Sequence, residues 1–239
     1  MLAENDSSNG IVRGYDTEII TDTLAGAEKG EPMNFKLRYR GNANPYYTIK
    51  HRAQNNCYSC AIVDEARARG FDVEAILDGE LDKEITCLAN GLYDDRDRRI
   101  LEGFTPASAK NIYGITDLNE IKHVTAKEFT SKRFGKDLPV GRYEISCAWK
   151  GHGNFHVYRF EKLENGEIQF YDPQNGQFWL AGDFPPEYGR DALSMKYKCP
   201  VSFFRTDDKP LLKFAENFVR KKRVQTKWFN SDKKEKGKS

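Results

Sequence analysis

The order of patterns along the chain predicts an α+β fold in which an N-terminal helix packs on an antiparallel sheet. Three observations carry this. A capped helical run follows Gln54-Asn55-Asn56, and a series of alternating apolar runs lies much later, between Arg142 and Asp172. Two of those runs are separated only by Glu164-Asn165-Gly166, a hairpin signal. The composition, 38% hydrophobic and 13% aromatic over 239 residues, is enough for one sizeable core and fits a single domain with polar ends.

Residues 1–43 are rich in Asn, Ser, Gly, Asp and Glu, and read as a flexible acidic arm or linker that buries too little surface to offset the entropy of ordering. The folded domain is expected to begin at Asn44, where Pro45, Tyr46, Tyr47 and Ile49 follow in quick succession, and to run to residue 225. The first helix spans Cys57 to about Arg69. Ser59, Ile62, Val63 and Ala66 form one face, the other face is charged, and Gly70 supplies the stop. Phe71 to Ile76 alternates as a short strand. Residues 77–139 are charged and weakly periodic, with short helices expected at Ala107 to Ile112 and Ala126 to Phe134.

The strongest pattern comes next. Arg142 to Trp149, Asn154 to Leu163 and Glu167 to Asp172 read as three strands. Lys196 to Arg205 reads as a fourth, with Pro200 placing it at an edge or bulge. Asp208 and Pro210 then open a helix with Leu211, Phe214, Ala215 and Phe218 along one side. Residues 226–239 form a basic flexible tail, and residues 220–239 carry nine Lys or Arg. A tail of this kind can contact nucleic acid, but solvation is the favoured reading.

No apolar run reaches the length of a membrane span, and the first ten residues lack the pattern of a signal peptide. The chain therefore reads as soluble and made in the cytoplasm. Its five cysteines, Cys57, Cys60, Cys87, Cys147 and Cys199, are odd in number and scattered, so free thiols in a reducing compartment are expected.

A cysteine nucleophile needs an activated thiol, a base within reach and a group that holds the base in the right tautomer. Cys57 and Cys60 both fall in the first turn of the predicted helix, where unpaired N–H groups and the helix dipole favour a thiolate. His156 lies in the second strand of the hairpin and Asp172 ends the third. With that turn Asp172 faces Tyr158, which puts it diagonally across from His156 on the same side of the sheet. Pro173 then ends the strand.

These residues resemble a known family. Gln54-Asn55-Asn56-Cys57-Tyr58-Ser59-Cys60, then Phe155-His156-Val157-Tyr158, then Tyr171-Asp172-Pro173-Gln174-Asn175-Gly176 resemble, in order, the motifs of papain-fold toxin domains of the glutamine-deamidase type. Such domains occur in bacterial polymorphic toxins and appended to phage minor head proteins. The resemblance covers roughly residues 44–180. It implies a papain-like fold and amide hydrolysis through a thioester, with Cys57, His156 and Asp172 as the catalytic triad and no cofactor or metal. Backbone N–H groups at the helix start, with Gln54, would hold the oxyanion. The expected partners are a protein substrate offering a Gln side chain or a peptide bond, and a cognate immunity or virion protein. Delivery to a target cell or carriage in a phage particle would follow.

Other readings remain open at this level. Cys60 lies nearer the apolar stripe than Cys57, yet Gln54 precedes it by the spacing at which papain-type proteases place their oxyanion glutamine. A Cys-x-x-Cys pair also suits a dithiol redox site, or a zinc site completed by His152 and His156, but no second close pair is present. His152 competes with His156 as the base. The same fold with an inactive thiol site would serve as a virion structural or interaction domain that binds through its tail.

Overall fold

A computed structural model describes residues 17–32, 43–45, 47–48, 56–77, 109–150, 155–194 and 197–222. Its centre is a six-stranded antiparallel sheet of order β4-β9-β5-β6-β7-β8. The strands are β4 (Lys122–Val124), β5 (Gly141–Ala148), β6 (Phe155–Lys162), β7 (Ile168–Asp172), β8 (Gln177–Leu180) and β9 (Val201–Arg205). One long helix, α1 (Cys57–Ala68), lies across one face, and the chain is α+β as its patterns predict.

The β6–β7 connection shows how the sequence fixes register. Gly166 N–H donates to the Leu163 carbonyl and Leu163 N–H to that of Glu167, and Gly166 alone of the Asn-Gly pair takes a positive φ, of 83°. This tight turn with one left-handed residue pins Arg159 opposite Tyr171. Two elements differ from expectation. β9 is an interior strand between β4 and β5, because Pro200 sits just before it and the missing N–H falls outside the ladder. The segment after Pro210 forms only a short 3-10 helix, Lys213–Phe218, though Leu211, Phe214, Ala215 and Phe218 are all buried as predicted.

The two faces of the sheet are filled differently. On the far face Phe129, Phe134, Tyr143, Phe160, Phe170, Phe203 and Trp179 form an aromatic core, with Tyr143 and Phe160 stacked 4.5 Å apart. The other face meets α1, which is buried on nearly all sides rather than charged and exposed along one: Asp64, Glu65 and Arg67 are at most 3% exposed. Its charges are tolerated because they are paired. Glu65 accepts from Arg69 at 2.8 Å, from Arg142 at 2.9 and 3.0 Å, from Thr206 Oγ1 at 2.9 Å, and from Arg159. Burial opposes its charge, yet Arg159, Arg142 and Arg69 together hold the carboxyl well below the usual range.

Residues 17–32 are part of the domain, not a flexible arm. β1 (Thr23–Leu24) and β2 (Ala27–Glu28) make a small hairpin whose Leu24 and Ala27 enter the α1 core. Gly30 N–H donates to the Gly70 carbonyl at 2.9 Å, and a Cβ on Gly70 would stand 2.3 Å from the Gly30 oxygen. Gly70 thus ends α1 at a φ of 105° and admits the N-terminal segment against it. Few apolar residues sufficed, because the segment joins an existing core instead of building one. β3 (Val73–Ala75) pairs with β10 (Val219–Lys221), which closes the same end. Residues 109–113 are helical, and a short helix, Ala126–Phe129, opens with a Thr125–Glu128 capping box. The tail 226–239 lies outside the described residues.

Candidate active site

β5 ends, β6 begins and β7 ends at one end of the sheet, since the three run antiparallel. His156 is the second residue of β6 and pairs with Cys147 of β5. The β6–β7 register, carried one step past Arg159 and Tyr171, puts Asp172 opposite Tyr158 and so diagonal to His156. The side chains meet: His156 Nε2 lies 2.6 Å from Asp172 Oδ2. With Nε2 committed to the carboxylate, Nδ1 is the ring nitrogen left for another partner. Cys57, the first helical residue, is the thiol whose hydrogen bond helps to raise the imidazole.

Asp172 is fully buried, and both of its oxygens are hydrogen-bonded. Besides His156, Oδ2 accepts from the Tyr188 hydroxyl, and Oδ1 accepts from Gln174 N–H at 2.9 Å. Burial pushes its pKa up, but the His156 charge and these hydrogen bonds outweigh it, and the carboxyl ends below its ordinary value. For His156 the balance runs the other way. Burial would discharge it, yet the Asp172 charge and hydrogen bond, with the hydrogen bond to Cys57, raise it to about 10. The ring is stacked as well, with Trp149 4.5 Å away at an interplanar angle of 27°.

The structure separates the two cysteines of the pair. Cys57 is half-buried at the helix start, beside His156. Cys60, one turn on, is wholly buried, and its thiol points to Asn56 Oδ1 at 3.4 Å. Burial, together with the charges of Cys57 and Asp172, pushes its pKa well up, so it stays a neutral thiol. Cys147 is buried too, with its pKa raised chiefly by burial. Gln54, His152 and Cys87 lie outside the described residues.

The sequence assigned no role in the site to three neighbours. Asn56 occupies the N-cap position but does not cap. Its Oδ1 instead accepts from Asn44 at 3.1 Å, Gln174 at 3.5 Å and Cys60, and its Nδ2 donates to the Ile76 carbonyl at 2.9 Å. It therefore joins the start of α1 to the turn that carries Asp172. Trp149 and Tyr188 are the other two, one at the end of a predicted strand and one in a turn where no periodicity marks it. Among the described residues no group of three His, Cys, Asp or Glu is placed to hold a metal, and no helix is long and apolar enough to cross a membrane. Compared with protein-family models and with curated proteins, the chain matches neither.

Proposed function

We propose that this chain is a papain-like cysteine amidohydrolase that deamidates glutamine side chains of a protein substrate, as a toxin or effector domain. The observation that carries the reading is one continuous line of contacts: Cys57 thiol to His156, and His156 Nε2 to Asp172 at 2.6 Å. A nucleophile, a base and an orienting acid are the parts that acyl transfer needs, and they are assembled here at a helix N-terminus. The choice of glutamine as substrate rests on the resemblance of the three motifs around these residues.

In this mechanism His156, which Asp172 holds in the protonated form from the other side, pairs through Nδ1–H with the Cys57 thiolate. The thiolate attacks the carboxamide carbon. The resulting oxyanion faces N–H groups of the first turn of α1, which have no intrahelical acceptor. His156 returns its proton to the amide nitrogen, the C–N bond breaks, and ammonia leaves a thioester on Cys57. A water molecule, deprotonated by His156, attacks the thioester, and breaking of the C–S bond releases glutamate and restores the thiol.

The test is incubation with candidate proteins while both ammonia release and chain cleavage are followed, with Cys57→Ala as the control. Ammonia release that disappears in Cys57→Ala is the expected result. Chain cleavage that depends on Cys57 would keep the mechanism and change the substrate bond, and activity that survives Cys57→Ala would overturn the mechanism. A second measurement needs no substrate. Iodoacetamide near neutral pH should label Cys57 first, because it is the thiol that meets an imidazole, while buried Cys60 and Cys147 stay unlabelled. Equal slow labelling of all the cysteines would remove the activated thiol.

A further inference from the structure

The geometry points to Tyr188 as a positioning residue that sets how strongly Asp172 holds the His156 imidazole. This rests on the reading of Cys57, His156 and Asp172 as the reacting centre. The Tyr188 hydroxyl donates to Asp172 Oδ2, the same oxygen that meets His156 Nε2. Its own direction is fixed, because Asn175 Nδ2 donates to the Tyr188 oxygen at 2.7 Å and Asn175 Oδ1 accepts from Gln177 N–H at 2.9 Å. The phenol proton is thus left for the carboxylate.

The ring is held as firmly as its hydroxyl. Tyr188 is 1% exposed, lies 4.3 Å from Trp179, and makes edge contacts with Trp149 at 5.8 Å and Tyr158 at 5.6 Å. Such an aromatic setting could be met by phenylalanine, so packing alone does not explain the hydroxyl. Two donors on one oxygen share its electron density, and a carboxylate bonded twice there is a weaker partner for the imidazole than one bonded once. Tyr188 therefore tempers the pull of Asp172. An imidazole held too strongly would keep its proton when the leaving nitrogen needs it, and one held too weakly would not take it from the thiol.

The other titratable groups around the carboxylate are Tyr158 on β6, Cys147 on β5, Cys60 on α1 and Tyr171 on β7 itself. Burial pushes the pKa of each of them up, so they stay neutral across the working range. On the imidazole side the facing groups are Asp172 and Cys57.

The experiment is an NMR titration of the His156 ring in Cys57→Ala, with and without Tyr188→Phe. Removing the hydroxyl should move the His156 midpoint upward by about half a unit to one unit, because the carboxylate loses a competing donor. A midpoint that stays in place, or moves down, overturns the assignment. If Tyr188→Phe does not fold, Asn175→Ala takes its place. It weakens the hydroxyl as a donor and should give a smaller shift of the same sign, and no shift there also overturns the assignment. Because the titration uses protein without the thiol, it reports on Tyr188 whether or not Cys57 proves to be the nucleophile. The activity of Cys57→Ala decides that question separately.

Discussion

The two faces of the central sheet solve the problem of packing in opposite ways. The far face is a block of aromatic rings, with Phe129, Phe134, Phe160, Phe170 and Trp179 all at most 7% exposed. The α1 face is crossed by charge: Glu65 at its centre, Arg142 and Arg159 from the sheet, Arg69 from the helix, and Tyr113 donating to Glu144 at 3.1 Å. Rings attract with little regard to direction and tolerate small displacements. A buried carboxylate shared by three guanidinium groups does not, since each hydrogen bond fixes distance and angle and an unpaired charge is costly. The aromatic face supplies bulk cohesion, and the charged face supplies the register of α1 on the sheet. Because Cys57 rides on α1 and His156 on β6, that register sets the distance between thiol and imidazole.

The largest effect is expected from breaking the charged face. Glu65→Gln removes the carboxylate that Arg142 and Arg159 share and leaves Arg159 with the more distant Asp64 at 3.7 Å, and removing one member of a buried pair costs about 3–5 kcal/mol. Chemical denaturation should show this as a lower midpoint with an unchanged slope. Selective alkylation of Cys57 should fall in the variant even under conditions where it stays folded, because the helix start is no longer held against β6. A variant that keeps wild-type labelling would show that α1 is placed by its apolar residues alone.

Asp172→Asn, at the end of the sheet, is the next largest effect, about 2–3 kcal/mol of stability with a severe loss of turnover. The stability has a defined pH window. The Asp172 pKa is lowered on folding, so its contribution is present above the ordinary carboxylate range and is lost as pH falls through the depressed value. His156 is raised to about 10, so its contribution is whole below the ordinary imidazole value and is lost as pH climbs toward about 10. The margin of wild type over Asp172→Asn in thermal melts should therefore be widest in mildly acidic solution, roughly pH 4 to 6.5. It should narrow on both sides, and a margin that grew with alkalinity would refute the assignment of the charged pair.

Some of this was legible in the sequence and some was not, for physical reasons. Alternation and a short turn determine register by local rules, so the diagonal from His156 to Asp172 could be read from residue spacing alone. The helix start was legible too, and so was the nearness of Cys60 to the apolar stripe. The surroundings of α1 were not. Asp64, Glu65 and Arg67 have the composition of a solvated face, and only long-range partners such as Arg142, Arg159 and Thr206 make their burial possible. Residues 17–32 misled for the same reason, because the segment is held by partners distant in sequence: Lys29 bridges Phe71, Ile19 bridges Leu212, and Leu24 and Ala27 join the α1 core. Tyr188 and Trp149 join the site from a turn and a strand end, where composition says nothing about direction.

The smallest expected effect sharpens the comparison from the other side. Phe170 is wholly buried in the aromatic face, stacked on Trp179 at 5.7 Å and in edge or tilted contact with Phe129, Phe134, Phe160 and Phe184. Phe170→Leu removes ring contacts but leaves an apolar side chain that its neighbours can close around, at a cost of about 1–2 kcal/mol. Phe170 shares strand β7 with Asp172, only two residues away, so a site sensitive to any disturbance of its strand would lose function here as well. The division of labour argued above predicts the contrary: a lower melting temperature with turnover per folded molecule and Cys57 labelling unchanged. If turnover fell in step with stability, the aromatic face would share in placing the site, and the contrast between the two faces would fail.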